Sequence, residues 1–140
     1  MSPPVCETRA MIAGMNPVLD DAEYVFCAMA DPAGAEAAKA VAIAFIREDE
    51  GLSLVLPASV ARELGIAGGP QMQRIVLSIH SALDGVGLTA AVSGSLAQAG
   101  IACNVIAGFH HDHLFIPSGD ADAALRILLE AQAQAGLDAR

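Results

Sequence analysis

With 140 residues, 54% of them hydrophobic and 16% charged, the chain can bury the core of one ordinary domain or of two very small ones fused, and it is no disordered tail. Seven basic residues against 16 acidic ones leave a formal charge of −9. Lys and Arg cluster nowhere and Lys39 is the sole lysine, which argues against nucleic acid and anionic membrane surfaces as partners.

The N-terminal Met-Ser-Pro-Pro has no basic stretch followed by an apolar one, so no signal peptide is expected. Residues 10–13 read either as a short strand or as the end of a helix. Asn16-Pro17 and Asp20-Asp21 mark turns. Tyr24 to Met29 is β-branched and aromatic and predicts a strand, closed by the turn residues 31–34. Ala35 to Ala40 is Ala-rich and is either one helical turn or a loose loop. A hairpin follows, with Ile43 and Phe45 on one strand, a turn over 47–51, and Leu52, Leu54 and Leu56 on the other. Pro57 starts a helix with Val60 and Leu64 on one face, and Gly65 ends it. Ala67-Gly68-Gly69-Pro70 breaks every period and is the expected linker between lobes 1–69 and 70–140.

The second half is denser in signal. Arg74 to Ile79 predicts a strand and His80 to Gly85 a polar bend. A helix over about Val86–Ala99 carries an apolar stripe of Leu88, Ala91, Val92, Leu96 and Ala99. Gly100 stops it. Two further strands, 102–109 and 113–116, form a hairpin, and Asp120 caps a last helix over 121–135 that ends at Gly136. Strand, helix and hairpin begin a split β-α-β unit, the element of ferredoxin-like domains. Only three strands are clear here, so a strand from the first half is expected to complete the sheet rather than leave an apolar edge open. No Asp, Glu, Lys or Arg occurs between Asp84 and Asp112. Ser93, Gly94, Ser95, Gln98, Gly100 and Asn104 interrupt that stretch and its period changes, so it predicts a helix plus a buried strand and not a membrane span. Cys6, Cys27 and Cys103 are odd in number and lack metal-ligand spacing, which points to free thiols and a cytoplasmic protein.

Residues 21–26, 45–56, 79–93 and 100–117 (Asp-Ala-Glu-Tyr-Val-Phe, Phe-Ile-Arg-Glu-Asp-Glu-Gly-Leu-Ser-Leu-Val-Leu, Ile-His-Ser-Ala-Leu-Asp-Gly-Val-Gly-Leu-Thr-Ala-Ala-Val-Ser and Gly-Ile-Ala-Cys-Asn-Val-Ile-Ala-Gly-Phe-His-His-Asp-His-Leu-Phe-Ile-Pro) resemble a family of small bacterial proteins built from two ACT-like domains. The resemblance covers nearly the whole chain. It implies an α+β, ferredoxin-like βαββαβ fold in two fused lobes, in the aspartate-kinase-type ACT arrangement, with antiparallel sheets and helices on one face. It further implies a non-catalytic regulatory protein that binds an amino acid or similar small effector and assembles as a homodimer or larger homo-oligomer.

The bend His80–Thr89 is the leading ligand site. Gly85 and Gly87 allow close backbone approach, and free N–H groups at the following helix start favour a carboxylate. With His80, Ser81, Val86, Leu88 and Thr89 these form the expected binding loop, which in ACT domains contacts the polar groups of the effector. The same glycines can equally serve a plain strand-to-helix turn. Gly85 to Ala90 also fits the G-x-G-x-x-A dinucleotide pattern, but the polar bend before Gly85 and the hairpin after the helix exclude a Rossmann unit. No cofactor is expected.

The run His110-His111-Asp112-His113 puts His111 and His113 on one strand face. No Cys or Glu nearby completes a zinc shell, so no metal is expected. By analogy with ACT-type sensors, Asp112 accepts a hydrogen bond from an effector amino group. Asn104, in an apolar strand, either bonds an effector or a neighbouring backbone group. Glu48-Asp49-Glu50 is a solvated turn rather than a calcium loop. Two competing functions remain, a ligand-free oligomerisation or partner-binding module and a histidine-based metal hydrolase. No nucleophile-and-base arrangement supports the latter.

Overall fold

The computed structural model describes residues 3–31 and 33–138. Along the chain lie α1 (Thr8–Ala13), β1 (Pro17–Met29), α2 (Ala35–Val41), β2 (Ala44–Glu48), β3 (Gly51–Pro57), α3 (Ala58–Glu63), β4 (Met72–Leu77), α4 (Leu88–Gln98), β5 (Asn104–Ala107), β6 (Asp112–Pro117), a 3-10 turn (Ser118–Asp120) and α5 (Ala121–Asp138). They form two compact units, a larger one of the residues up to Asp21 with those from Gln73 onward, and a smaller one spanning Ala22–Met72. After α1, the order strand, helix, hairpin, helix occurs twice, as β1-α2-β2-β3-α3 and β4-α4-β5-β6-α5. Leu54-Val55-Leu56-Pro57 and Leu114-Phe115-Ile116-Pro117 end equivalent strands, each proline with φ near −50° and ψ near 135° leading into a helical turn.

In the larger unit the strands run in the order β1-β4-β6-β5. The first-half strand needed to complete this sheet is the start of β1. Arg74 Nη2 meets Asp20 Oδ2 at 2.9 Å, and Gln73 Nε2 donates to the Asp20 carbonyl at 3.3 Å. β5 and β6 are antiparallel, Ala107 opposite Asp112. Alternation along the strands sends Ile75, Leu77, Leu114 and Ile116 to one face, where Met11, Met15, Leu88, Val92, Leu96, Ala124 and Leu128 cover them. Asn16, held at φ 43°, pairs twice with Gln132 of α5, its amide donating to Oε1 at 3.0 Å and its Oδ1 accepting from Nε2 at 2.8 Å.

In the smaller unit β3 lies between β2 and β1, antiparallel to both. Val25, Cys27, Leu54 and Leu56 face Ala38 of α2 and Ala58 and Ala61 of α3. These helices are thin because alanine forms their buried face. Leu64, expected to share that face, is 44% exposed.

Two local expectations differ from the structure. Asp20-Asp21 is no turn: β1 runs through it, with the Asp20 carboxylate held by Arg74. Gly136 does not stop α5, which continues to Asp138, because open space surrounds it and nothing forces a left-handed turn. Residues 10–13, left open above between a strand and a helix end, are the end of a helix capped by Glu7, whose carboxylate accepts the amides of Arg9 at 3.0 Å and Ala10 at 2.6 Å. Within the expected linker stretch the backbone is held locally, since Gly68 bridges Cys27 and the Gly69 amide donates to the Phe26 carbonyl at 3.0 Å. A Cβ on Gly68 would stand 2.8 Å from Val25 Cβ, so glycine serves backbone approach there. Gly65 and Gly100 do end α3 and α4, both at positive φ.

Candidate functional site

The bend between β4 and α4 is held chiefly by the N-terminal segment. Val5 N–H donates to the His80 carbonyl at 2.8 Å, Ala82 N–H donates to the Val5 carbonyl at 2.9 Å, and Val5 and Ser81 form a parallel bridge. Ser78 N–H reaches the Met15 carbonyl at 2.7 Å, and the Thr8 hydroxyl donates to the Val86 carbonyl. Gly87 then caps α4 at φ 109°, and a Cβ there would lie 2.6 Å from Thr8 Cγ2. Glycine is thus required twice over, by the left-handed backbone and by the methyl group pressed against it. With no side chain capping α4, the first-turn amides of Leu88, Thr89 and Ala90 keep the donor capacity that a helix start leaves unpaired.

This bend and the β5–β6 hairpin enclose a cleft of ≈140 Å³ within the larger unit. Its walls are Met11, Ser81, Ala82, Leu83, Gly85, Gly87, Leu88, Thr89, Ala107, Gly108, His111 and Asp112, and polar surface predominates. Six of the nine residues picked from sequence therefore line one cavity: Ser81, Gly85, Gly87, Leu88, Thr89 and Asp112. The other three stand outside that lining. His80 stacks obliquely on His110 with ring centres 5.5 Å apart, Val86 is 78% exposed, and Asn104 is an exposed residue of β5. Met11, Ala107, Gly108 and His111 were not expected as ligand contacts. For Met11 the only sequence signal is an apolar residue in a segment of undecided structure.

Burial pushes the Asp112 carboxyl above the usual carboxylate range, with His113 and His111 pulling the other way. His113 is shifted down, first by burial, then by Arg74 and His111, and Asp112 opposes the shift. Its Nδ1 is shielded and has no hydrogen-bond partner among the described residues. Leu83 and Phe109, 67% and 70% exposed, add apolar surface on the same two loops. Among the described residues no group of three His, Cys, Asp or Glu side chains stands where a metal ion could be held. The thiols are unpaired. Burial raises Cys27, and raises Cys103 to about 11, so neither is a ready nucleophile.

Two other cavities clarify this choice. In the smaller unit the topologically equivalent position, beside the left-handed Gly34 and the β2–β3 hairpin, is a ≈300 Å³ depression lined by Asp31, Glu36, Lys39, Arg47 and Glu48. Lys39 already pairs with Glu36 at 2.7 Å, so its charges answer one another. A ≈470 Å³ groove among α1, α4 and α5 has Ile12, Met15, Val92, Leu128 and Ala131 in its lining, with Glu7, Arg9, Ser95, Gln134 and Asp138 beside them, and apolar surface predominates.

Comparison with known proteins agrees with this architecture. ACT domain families match residues 3–70 and residues 73–130. A crystallised Vibrio cholerae protein of unknown function, described as a possible transport protein, is 38% identical over 89% of this chain and 94% of its own, with a TM-score of 0.78. An Agrobacterium tumefaciens protein is 21% identical, covering 83% of this chain and 87% of its own, with a TM-score of 0.65. The ligand-free regulatory subunit of aspartate kinase from Thermus thermophilus is 14% identical, covering 84% and 97%, at a TM-score of 0.62. No curated protein matches. Among the described residues no helix is long and apolar enough to cross a membrane. The chain belongs to the ACT-domain family, with two ACT domains in tandem and the α+β, ferredoxin-like fold of that family.

Proposed function

We propose that this protein is a non-catalytic regulatory receptor whose effector is a small α-amino acid bound in the cleft between the β4–α4 bend and the β5–β6 hairpin. One observation carries the reading: the uncapped start of α4 and the Asp112 carboxylate line the same ≈140 Å³ space. A zwitterion fits such a pair, its carboxylate on the helix amides and its ammonium on Asp112. A cavity of about 150 Å³ accommodates a molecule the size of benzene, so the effector is a small amino acid with a short, polar side chain. The likeness to aspartate kinase regulatory subunits supports a regulatory role. Occupancy would act by shifting the population toward whichever arrangement binds better. Self-association is part of the proposal, supported by Ile43, Phe45 and Ile46, all exposed on or beside strand β2, which among the described residues has a neighbour on one side only. Unpaired thiols support a reducing, cytoplasmic location.

The test is a thermal-shift panel of the standard amino acids with wild type and Asp112→Asn. An effector at one hundred times its dissociation constant adds about 2.7 kcal/mol of stability. Losing a hydrogen bond to a charged group, about 1.5–3 kcal/mol, weakens binding at least tenfold in the variant. A flat panel, or an Asp112→Asn protein that binds as tightly as wild type, removes the reading.

A further inference from the structure

The hydrogen bonds of the ligand loop single out a second element of the site. Residues 78–86 are hydrogen-bonded to Val5, Thr8 and Met15, all in the segment before β1, while His80 also stacks on His110 and Ile79 packs on the core. That segment also supplies the cleft wall Met11, which is 1% exposed, and a Cβ on Gly85 would lie 3.2 Å from its sulfur. α1 has six residues, too few to persist as a helix alone, so it holds its shape by packing on α4 and α5.

We propose that Val5–Met11 is a strap whose docking positions the ligand loop, so that strap and loop open as one unit and effector occupancy closes both. The part concerning the effector rests on the function proposed above; the joint opening of strap and loop does not. Undocking removes the partners of His80, Ala82 and Val86 at once and takes away the Met11 wall. A ligand that needs the complete cleft is bound in proportion to the docked fraction, and it returns the same bias to the strap. Thr8 and Val5 are positioning residues here; neither needs to touch the effector.

The experiment is native-state hydrogen exchange by NMR on the full chain, first without any ligand. Thr8→Val deletes the bond to the Val86 carbonyl, and Val5→Pro deletes the amide that reaches His80. Removing one intramolecular hydrogen bond changes an opening equilibrium about fivefold. In both variants the Ala82 and Gly85 amides are expected to exchange about fivefold faster, while amides of Leu114 and Leu128 in the core keep their wild-type rates. Unchanged Ala82 exchange in both variants overturns the proposal, and so does faster exchange spread evenly over the core. The standard amino acids are then added to wild type. An effector that slows Val5 and Ala82 together with Leu88 and Thr89 supports the linkage, whereas protection of Leu88 and Thr89 alone overturns it. No protection by any amino acid refutes the effector reading and leaves the ligand-free result to decide the strap.

Discussion

Replacing Gly87 by alanine probes the joint between strap, bend and α4 directly. The backbone there sits at φ 109°, where an L side chain is strained, and the new methyl would stand 2.6 Å from Thr8 Cγ2. Left-handed backbone at a non-glycine residue costs about 1–2 kcal/mol, and overpacking a filled site adds about 1–3 kcal/mol. Gly87→Ala is therefore destabilised by about 2–5 kcal/mol, the sum of those two costs. For a chain of this size, about 3 °C of Tm per kcal/mol translates the loss into about 6–15 °C. The two costs separate in a double-mutant cycle, read by urea or thermal unfolding. Thr8→Ala alone loses the bond to Val86, about 1 kcal/mol, yet in the Gly87→Ala background it also removes the clashing methyl. The double variant should be about 1–3 kcal/mol more stable than additivity allows, the overpacking share being relieved. A Gly87→Ala protein as stable as wild type, or a strictly additive cycle, refutes the assigned roles of Thr8 and Gly87.

Gly94, inside α4 with nothing within 4 Å of a Cβ, predicts the opposite sign: Gly94→Ala should gain about 0.5–1 kcal/mol in the same unfolding assay. His113, whose native pKa lies below 6.5, disfavours the imidazolium in the fold. Its contribution is complete above pH 6.5 and is lost as pH falls from there through the native value, so His113→Gln should flatten that part of the stability–pH curve. Asp112, raised above 3.8, has the opposite sign: stability is gained as pH falls from its native value toward 3.8, and Asp112→Asn should abolish that gain. Alkylation at mildly alkaline pH, followed by mass spectrometry, should label exposed Cys6 quickly. Cys27 and Cys103, both shifted up by burial, should react only after unfolding.

The larger elements were legible because period and punctuation agreed. Leu88, Val92 and Leu96 repeat at helical spacing and are the buried stripe of α4, and Gly100 ends that helix at positive φ. In the hairpin 44–57, Leu54 and Leu56 are buried as the sequence pattern predicts, but Val55 is buried with them and Phe45 and Ile46 of β2 are exposed. What the sequence concealed depends on long-range partners. Asp20-Asp21 has turn chemistry, and only Arg74, more than fifty residues away, turns Asp20 into a strand residue. Gly68 reads as linker until Val25 is seen against it. For the candidate site, glycine spacing and family resemblance pointed to the bend and Asp112, and six of the nine residues so chosen line one cleft, although the same glycines also suit a plain strand-to-helix turn. The strap was not. Its contribution is made of backbone bonds from Val5 and the hydroxyl bond from Thr8 to Val86, neither of which leaves a motif.

The most direct measurement is an amide chemical-shift map of the 15N-labelled chain, titrated with each standard amino acid. A small α-amino acid should move Leu88, Thr89 and Ala90 together with Gly108, His111 and Asp112, saturably, and leave Lys39 and Arg47 in place. Shifts confined to residues 29–52, or none with any amino acid, would contradict a receptor cleft at the start of α4.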